Sequence, residues 1–158
     1  MKRILVTISI FVIAFGTAMS QNKIYDPSLD GMKQIEEAVS QAKKEGKHVL
    51  CQVGGNWCGW CLLFADFAKT DSIVAPIIEK NYVYIHVNYS NDNKNPEAMK
   101  FLGNPERYGF PVLVVIDDSG KPIHIQKTGS LEEGKWYNTK LVSEFLLKWT
   151  RESVSSGK

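Results

Sequence analysis

Two cysteines three apart, Cys58 and Cys61, are the residues of this chain best placed to do chemistry. They stand in the run Trp57-Cys58-Gly59-Trp60-Cys61, just after a short apolar segment and a glycine pair, Gly54-Gly55. That setting predicts a strand, a turn and then a helix that begins at the cysteines. At a helix start the backbone N–H groups lack partners and carry partial positive charge. A thiolate there is stabilised, and its pKa falls below the free value of about 8.5. Cys58, in the first turn and taken as exposed, is the expected nucleophile; Cys61, one turn further in, is the expected resolving thiol. Other chemistries use the same spacing. Half a zinc site needs about four ligands in all, yet there is no second cysteine pair, and His48, His86 and His124 are scattered. Haem attachment needs a histidine directly after the second cysteine, where this chain has Leu62. A purely structural disulfide closing so short a loop removes little chain entropy. Redox chemistry is the reading to carry forward, with no metal and no organic cofactor.

The elements that must position the pair follow from hydrophobic period and punctuation. Ser28 to Glu45 reads as an amphipathic helix with Met32, Ile35, Val39 and Ala42 on one face and Gly46 to end it. Gln21 to Pro27 before it reads as a loose lead-in. His48 to Val53 is a strand, and the cysteine-bearing helix runs to about Lys69. A second helical piece reaches Lys80, with Pro76 forcing a kink or a late start. Tyr82 to Asn88 is a strand and Tyr89 to Asn95 a loop. A short helix follows, capped by Asn95 with Pro96 at its first position. Val112 to Asp117 and Ile123 to Thr128 form a hairpin across Asp118 to Lys121. Leu131 to Tyr137 is a loop or helix lead-in. The last helix starts after Asn138 with Leu141, Val142, Phe145, Leu146 and Trp149 apolar, and Tyr137 and Val142 placed as a hydrophobic staple. The tail after Arg151 is expected to fray. The fold class is α/β: a mixed sheet, a parallel β-α-β unit plus an antiparallel hairpin, flanked by helices.

The cysteine motif after its strand, with Gly109-Phe110-Pro111 opening a later strand, resembles the thioredoxin superfamily, in particular exported bacterial thioredoxin-like proteins. The resemblance covers roughly His48 to Trp149. It implies a thioredoxin-like fold and thiol–disulfide exchange without a bound cofactor. It implies that Pro111 is cis and faces the cysteine pair, and that Phe110 pairs with an extended substrate through its backbone. Trp57, Gly59 and Trp60 would then border the substrate, with Trp57 and Trp60 as an apolar rim or as packing against the loop.

The chain departs from the family in three places. The buried acid before the motif is Gln52 here, which cannot titrate, so a proton relay through it is absent or supplied elsewhere. The family's nearby lysine is matched by His86, which is either a base beneath Cys61 or a strand histidine with a structural role. Leu62 replaces the usual cation after the second cysteine. The dipeptide Gly59-Trp60 adds no imidazole charge to the thiolate, which favours reductase or isomerase over oxidase. Cys51, the odd cysteine, alternates with Gln52 in the strand and reads as a core residue.

The whole chain has 158 residues, 44% hydrophobic and 23% charged, which suits one ordinary domain. A formal charge of +2 leaves nothing to neutralise phosphates, so nucleic acid is not an expected partner. Met1-Lys2-Arg3, the apolar run from Ile4 to Phe15 and the small residues up to Ser20 have the layout of a secretory signal. Residues 1–20 are therefore read as cleaved between Ser20 and Gln21, leaving a thioredoxin-like domain over 21–158. The apolar run is short of the roughly 20 residues that span a bilayer. Removing Lys2 and Arg3 takes 19 basic residues to 17, equal to the 17 acidic ones. The expectation is a monomer in the periplasm or outside the cell. It acts on disulfide-containing exported proteins and is recharged, by analogy with the family, by a membrane-embedded electron donor. The competing expectation is a redox-silent binding module or chaperone for exported clients, motivated by Gln52 and Leu62.

Overall fold

The computed structural model describes residues 23–157. The expected signal segment and its cleavage position lie outside them.

The chain runs α1 (Gly31–Glu45), β1 (His48–Gly54), α2 (Gly59–Thr70), α3 (Val74–Asn81), β2 (Tyr82–Asn88), α4 (Pro96–Phe101), β3 (Val112–Ile116) and β4 (Pro122–Lys127). A small hairpin, β5 (Glu132–Glu133) and β6 (Trp136–Tyr137), leads to α5 (Thr139–Lys148) and α6 (Arg151–Ser155). The main sheet has the order β2-β1-β3-β4. β1 pairs parallel with β2, and antiparallel with β3, which pairs antiparallel with β4. This is the mixed sheet that the β-α-β unit and hairpin predict.

β1 is buried along its whole length, as a central strand covered on both faces should be. Its side chains alternate between two cores. Val49, Cys51 and Val53 join Ile35, Ala38 and Ala42 of α1 and Ala98 and Met99 of α4. Leu50 joins Phe64 and Phe67 of α2, Ile78 of α3, and Val142 and Phe145 of α5. Cys51 is thus a core residue, and burial pushes its thiol well above the usual range. Gln52 falls on the Leu50 face, beneath the start of α2, because the period of two dictates it.

Local chemistry explains where elements begin. α1 starts at Gly31 rather than Ser28 because Asp30 is the cap, accepting from Met32 N–H (2.8 Å) and Lys33 N–H (3.1 Å). Gly46 ends it in the left-handed region at φ 68°. α3 starts at Val74, so Pro76 lies in the first turn, where its missing N–H costs nothing. Asn95 does not cap α4 with its side chain. Its carbonyl oxygen accepts from Gly31 N–H (2.9 Å) and its amide donates to Asn88 O (2.8 Å), clasping α1, β2 and α4 together.

Three further expectations are corrected. Residues 131–137 hold the β5–β6 hairpin, which brings Tyr137 into the second core. Leu141 of α5 is exposed, since only Val142, Phe145 and Leu146 of that helix point inward fully. The tail beyond Thr150 is helical: Thr150 accepts from Ser153 N–H (3.1 Å), and Arg151 pairs with Asp118 at 2.9 Å. The lead-in to α1 is not loose either, and it belongs to the site described next.

Candidate active site

β1 and the turn after it deliver the cysteines to the start of α2. Cys58 is the cap residue of that helix, in extended conformation, and its Sγ accepts from Cys61 N–H at 3.2 Å. Cys58 and Cys61 are joined as a disulfide, with Cα atoms 5.2 Å apart. Cys58 is 7% exposed and Cys61 0%. Cys58 is therefore buried rather than exposed, and it is the less buried of the two cysteines. The helix end supplies unpaired N–H groups to whichever charge forms at Cys58.

The Phe110–Pro111 peptide bond is cis. Phe110 packs against the cluster formed by Cys58, Cys61 and Tyr25, as does Trp60. Pro111 O accepts from Thr128 Oγ1 at 2.7 Å, which ties the start of β3 to the end of β4. The two tryptophans differ. Trp57 is 59% exposed, its indole N–H donates to Tyr89 O (2.8 Å), and it meets the Phe110 ring edge-to-face at 5.4 Å. Trp60 is half-buried and turns onto the Tyr137 ring at 5.5 Å. Trp57, Tyr89 and Phe110, with Asn91, Asp92 and Lys94, line a groove of about 560 Å³. Gly59 opens α2 on the surface, and a Cβ there would meet nothing within 4 Å.

Gln52 is the hub beneath the pair. Its amide nitrogen donates to Cys61 O (2.9 Å) and to the Tyr25 hydroxyl, while its oxygen accepts from the Tyr84 hydroxyl. His86, opposite Gln52 on β2, makes no hydrogen bond to Cys61. Its ring lies against Tyr25 (5.4 Å) and Tyr84 (4.5 Å), and its Nε2 is buried without a partner. Burial pulls its pKa down to about 4, so the ring is neutral at pH 7. Among the described residues, no group of three or more His, Cys, Asp or Glu is placed to hold a metal ion.

Tyr25 is the residue that sequence reasoning missed. It is fully buried against Cys58 and Cys61, 31 residues before its backbone partner Asn56. Tyr25 N–H donates to Asn56 Oδ1 (3.1 Å) and Asn56 Nδ2 donates to Tyr25 O (2.6 Å). The local signal is the pair Ile24-Tyr25, two large apolar side chains in a short lead-in.

A family model described as thioredoxin-like matches residues 30–118. The chain belongs to the thioredoxin-like family. This thioredoxin-like chain is 25% identical, over 124 residues, to the thiol:disulfide interchange protein DsbD of Actinobacillus pleuropneumoniae serotype 5b (strain L20). The match covers 77% of this chain and 20% of that protein, so the chain spans about a fifth of its length. The structure of a disulphide isomerase from Xylella fastidiosa Temecula1 superposes with a TM-score of 0.70 at 26% identity, covering 82% of this chain and 98% of that one. A DsbH oxidoreductase shares the fold, with a TM-score of 0.54 at 23% identity over 72% of this chain and 81% of its own. With its Cys58–Cys61 pair, the thioredoxin-like domain is disulfide-oxidoreductase-like in sequence and in fold.

Proposed function

We propose that this chain is an exported thiol–disulfide oxidoreductase that reduces or isomerises protein disulfides through Cys58 and Cys61. The observation that carries the reading is the Cys58–Cys61 disulfide at the start of α2, with Cys58 the less buried of the two and Cys61 fully enclosed. In the dithiol form, the Cys58 thiolate attacks one sulfur of a substrate disulfide. A Cys58–substrate disulfide forms, and the displaced substrate sulfur leaves with the electron pair and takes a proton. Cys61, as thiolate, then attacks Cys58 Sγ. The Cys58–Cys61 bond forms, and the second substrate sulfur leaves and is protonated. Two electrons and two protons have moved from the dithiol to the substrate.

Trp57, Gly59, Trp60, Phe110 and Pro111 are assigned to substrate binding. The exposed indole of Trp57 and the Phe110 ring offer apolar contact beside the sulfur that reacts. A membrane-embedded donor would return electrons to the disulfide. No helix among the described residues is long and apolar enough to cross a membrane itself. Export rests on the basic start, apolar run and small residues of the first twenty positions.

The test is a pair of variants assayed on a disulfide-bonded protein. C58S should abolish reduction, and C61S should accumulate a mixed disulfide through Cys58. The Cys58–Cys61 potential then sorts the direction, since about −270 mV marks a reductase and about −180 mV an isomerase. Client binding unchanged in the double serine variant, with no turnover in the parent, would favour a redox-silent binding module instead.

A further inference from the structure

The second step of the proposed exchange needs Cys61 as a thiolate, and Cys61 is wholly buried. Burial alone opposes that charge. Gln52 cannot supply or take a proton. Something else in the pocket must favour the ionised sulfur.

We propose that the Tyr25 hydroxyl donates a hydrogen bond to the Cys61 thiolate and so takes the place of a titratable group at Gln52. The inference rests on the oxidoreductase reading above and deepens it. The direction of every donor around Gln52 follows from one atom. Cys61 O can only accept, so the Gln52 amide nitrogen, 2.9 Å away, must face it. The same nitrogen faces the Tyr25 hydroxyl, which therefore accepts from Gln52. The Gln52 oxygen is taken by the Tyr84 hydroxyl. The hydrogen of the Tyr25 hydroxyl must then point away from Gln52.

Cys61 Sγ lies beside that hydroxyl, and the two make no hydrogen bond while Cys61 is tied in the disulfide. A Cβ built on Gly54 would stand 2.5 Å from Cys61 Sγ and 2.9 Å from the Tyr25 hydroxyl. Sulfur and hydroxyl converge beside the same bare backbone atom, and a glycine keeps the space between them open. Tyr84, Gln52 and Tyr25 form a chain in which each donates toward the cysteine, and such chains reinforce their members. Asn56 clamps the Tyr25 backbone from the turn that carries Cys58, so the hydroxyl is fixed relative to the pair.

Tyr25 is a donor and not a base. Burial holds its hydroxyl far above the usual phenol range, so it keeps its proton throughout. The Cys61 proton is taken up by the substrate thiolate that the first step displaces, and the anion left behind is held by the Tyr25 O–H. The titratable groups facing this pocket are Cys58 at the start of α2, Tyr84 and His86 of β2 and Tyr137 of β6. Burial drives Tyr84, His86 and Tyr137 toward their neutral forms.

The experiment follows Cys61 ionisation by the pH dependence of its Cβ resonance in the reduced full chain, for the parent and Y25F. Phenylalanine keeps the ring and removes only the hydroxyl. The expected result is at least a tenfold lower thiolate fraction at pH 7. In single turnover, mixed-disulfide formation at Cys58 is unchanged, while substrate release slows about tenfold and recovers as pH rises. An unmoved Cys61 titration in Y25F overturns the proposal. Should Y25F fail to fold, 3-fluorotyrosine at position 25 keeps the hydroxyl and makes it more acidic. Cys61 should then ionise at lower pH, and an unmoved titration overturns the proposal there too. The titration reads Cys61 even if the parent reduces no protein disulfide, so failure of the functional reading is seen separately.

Discussion

At the scale of single residues, the site is made by what surrounds the sulfurs more than by the sulfurs. The cysteine pair was legible because its spacing and its place after a strand carry it, and Pro111 because the resemblance to the thioredoxin superfamily implies it. Tyr25 was not, because its partners Gln52 and Asn56 lie 27 and 31 residues away and leave no local pattern. His86 was legible as a strand residue but not as a neutral one, since its burial comes from Tyr25 and Tyr84 closing on it. Gly54 shows the same dependence on distant groups. An added methyl would meet Cys61 Sγ at 2.5 Å and Tyr25 Oη at 2.9 Å, neither of which can withdraw easily. Gly54→Ala should therefore destabilise the oxidised protein by about 1–3 kcal/mol, the usual cost of overpacking a filled site. Gly59→Ala, with open space around it and helix behind it, should be neutral or stabilising by up to about 1 kcal/mol. Urea unfolding of the two variants checks the contrast.

At the scale of elements, period and punctuation located each helix and strand of the main sheet, while the ends were set by side chains that sequence distance hides. Asp30 moved the start of α1 three residues on from Ser28. Asn95 holds the cap position of α4 as read, but its side chain is a clasp instead, because its backbone turns left-handed at φ 47° and sends its amide between α1 and β2. The two roles differ in energy. Asp30→Ala should cost about 1 kcal/mol, the usual value of a cap. Asn95→Ala leaves a buried Gly31 N–H and Asn88 O without partners, at about 1–3 kcal/mol for each group, and should cost clearly more. Equal midpoints for the two variants in denaturant would contradict the clasp. The β5–β6 hairpin and α6 escaped the sequence reading because two-residue strands and a five-residue helix are too short to show a period.

At the scale of the whole molecule, two cores pack on either side of one sheet, the disulfide sits in a separate cluster with Tyr25, and the buried polar network beneath it sets the response to acid. His86 has an ordinary value of 6.5 and is lowered to about 4 in the fold. The unfolded chain therefore binds a proton between those values that the native chain refuses. Stability should be full above about pH 6.5, fall as pH drops toward 4, and take no further loss from this group below that. Asp71 and Asp117, whose carboxyls are held below their usual value by hydrogen bonds, add their own loss only at lower pH. His86→Leu should flatten the upper part of the thermal-stability profile and leave the lower part in place. Function rests on a simpler premise, that the Cys58–Cys61 pair exchanges with disulfides of other proteins. The direct measurement is single-turnover reduction of a disulfide-bonded protein by the pre-reduced chain, counted against its dithiol. One substrate disulfide opened per Cys58–Cys61 dithiol, and none with C58S, is the expected result. Substrate disulfides opened equally well by C58S, or none opened by the parent, would contradict it.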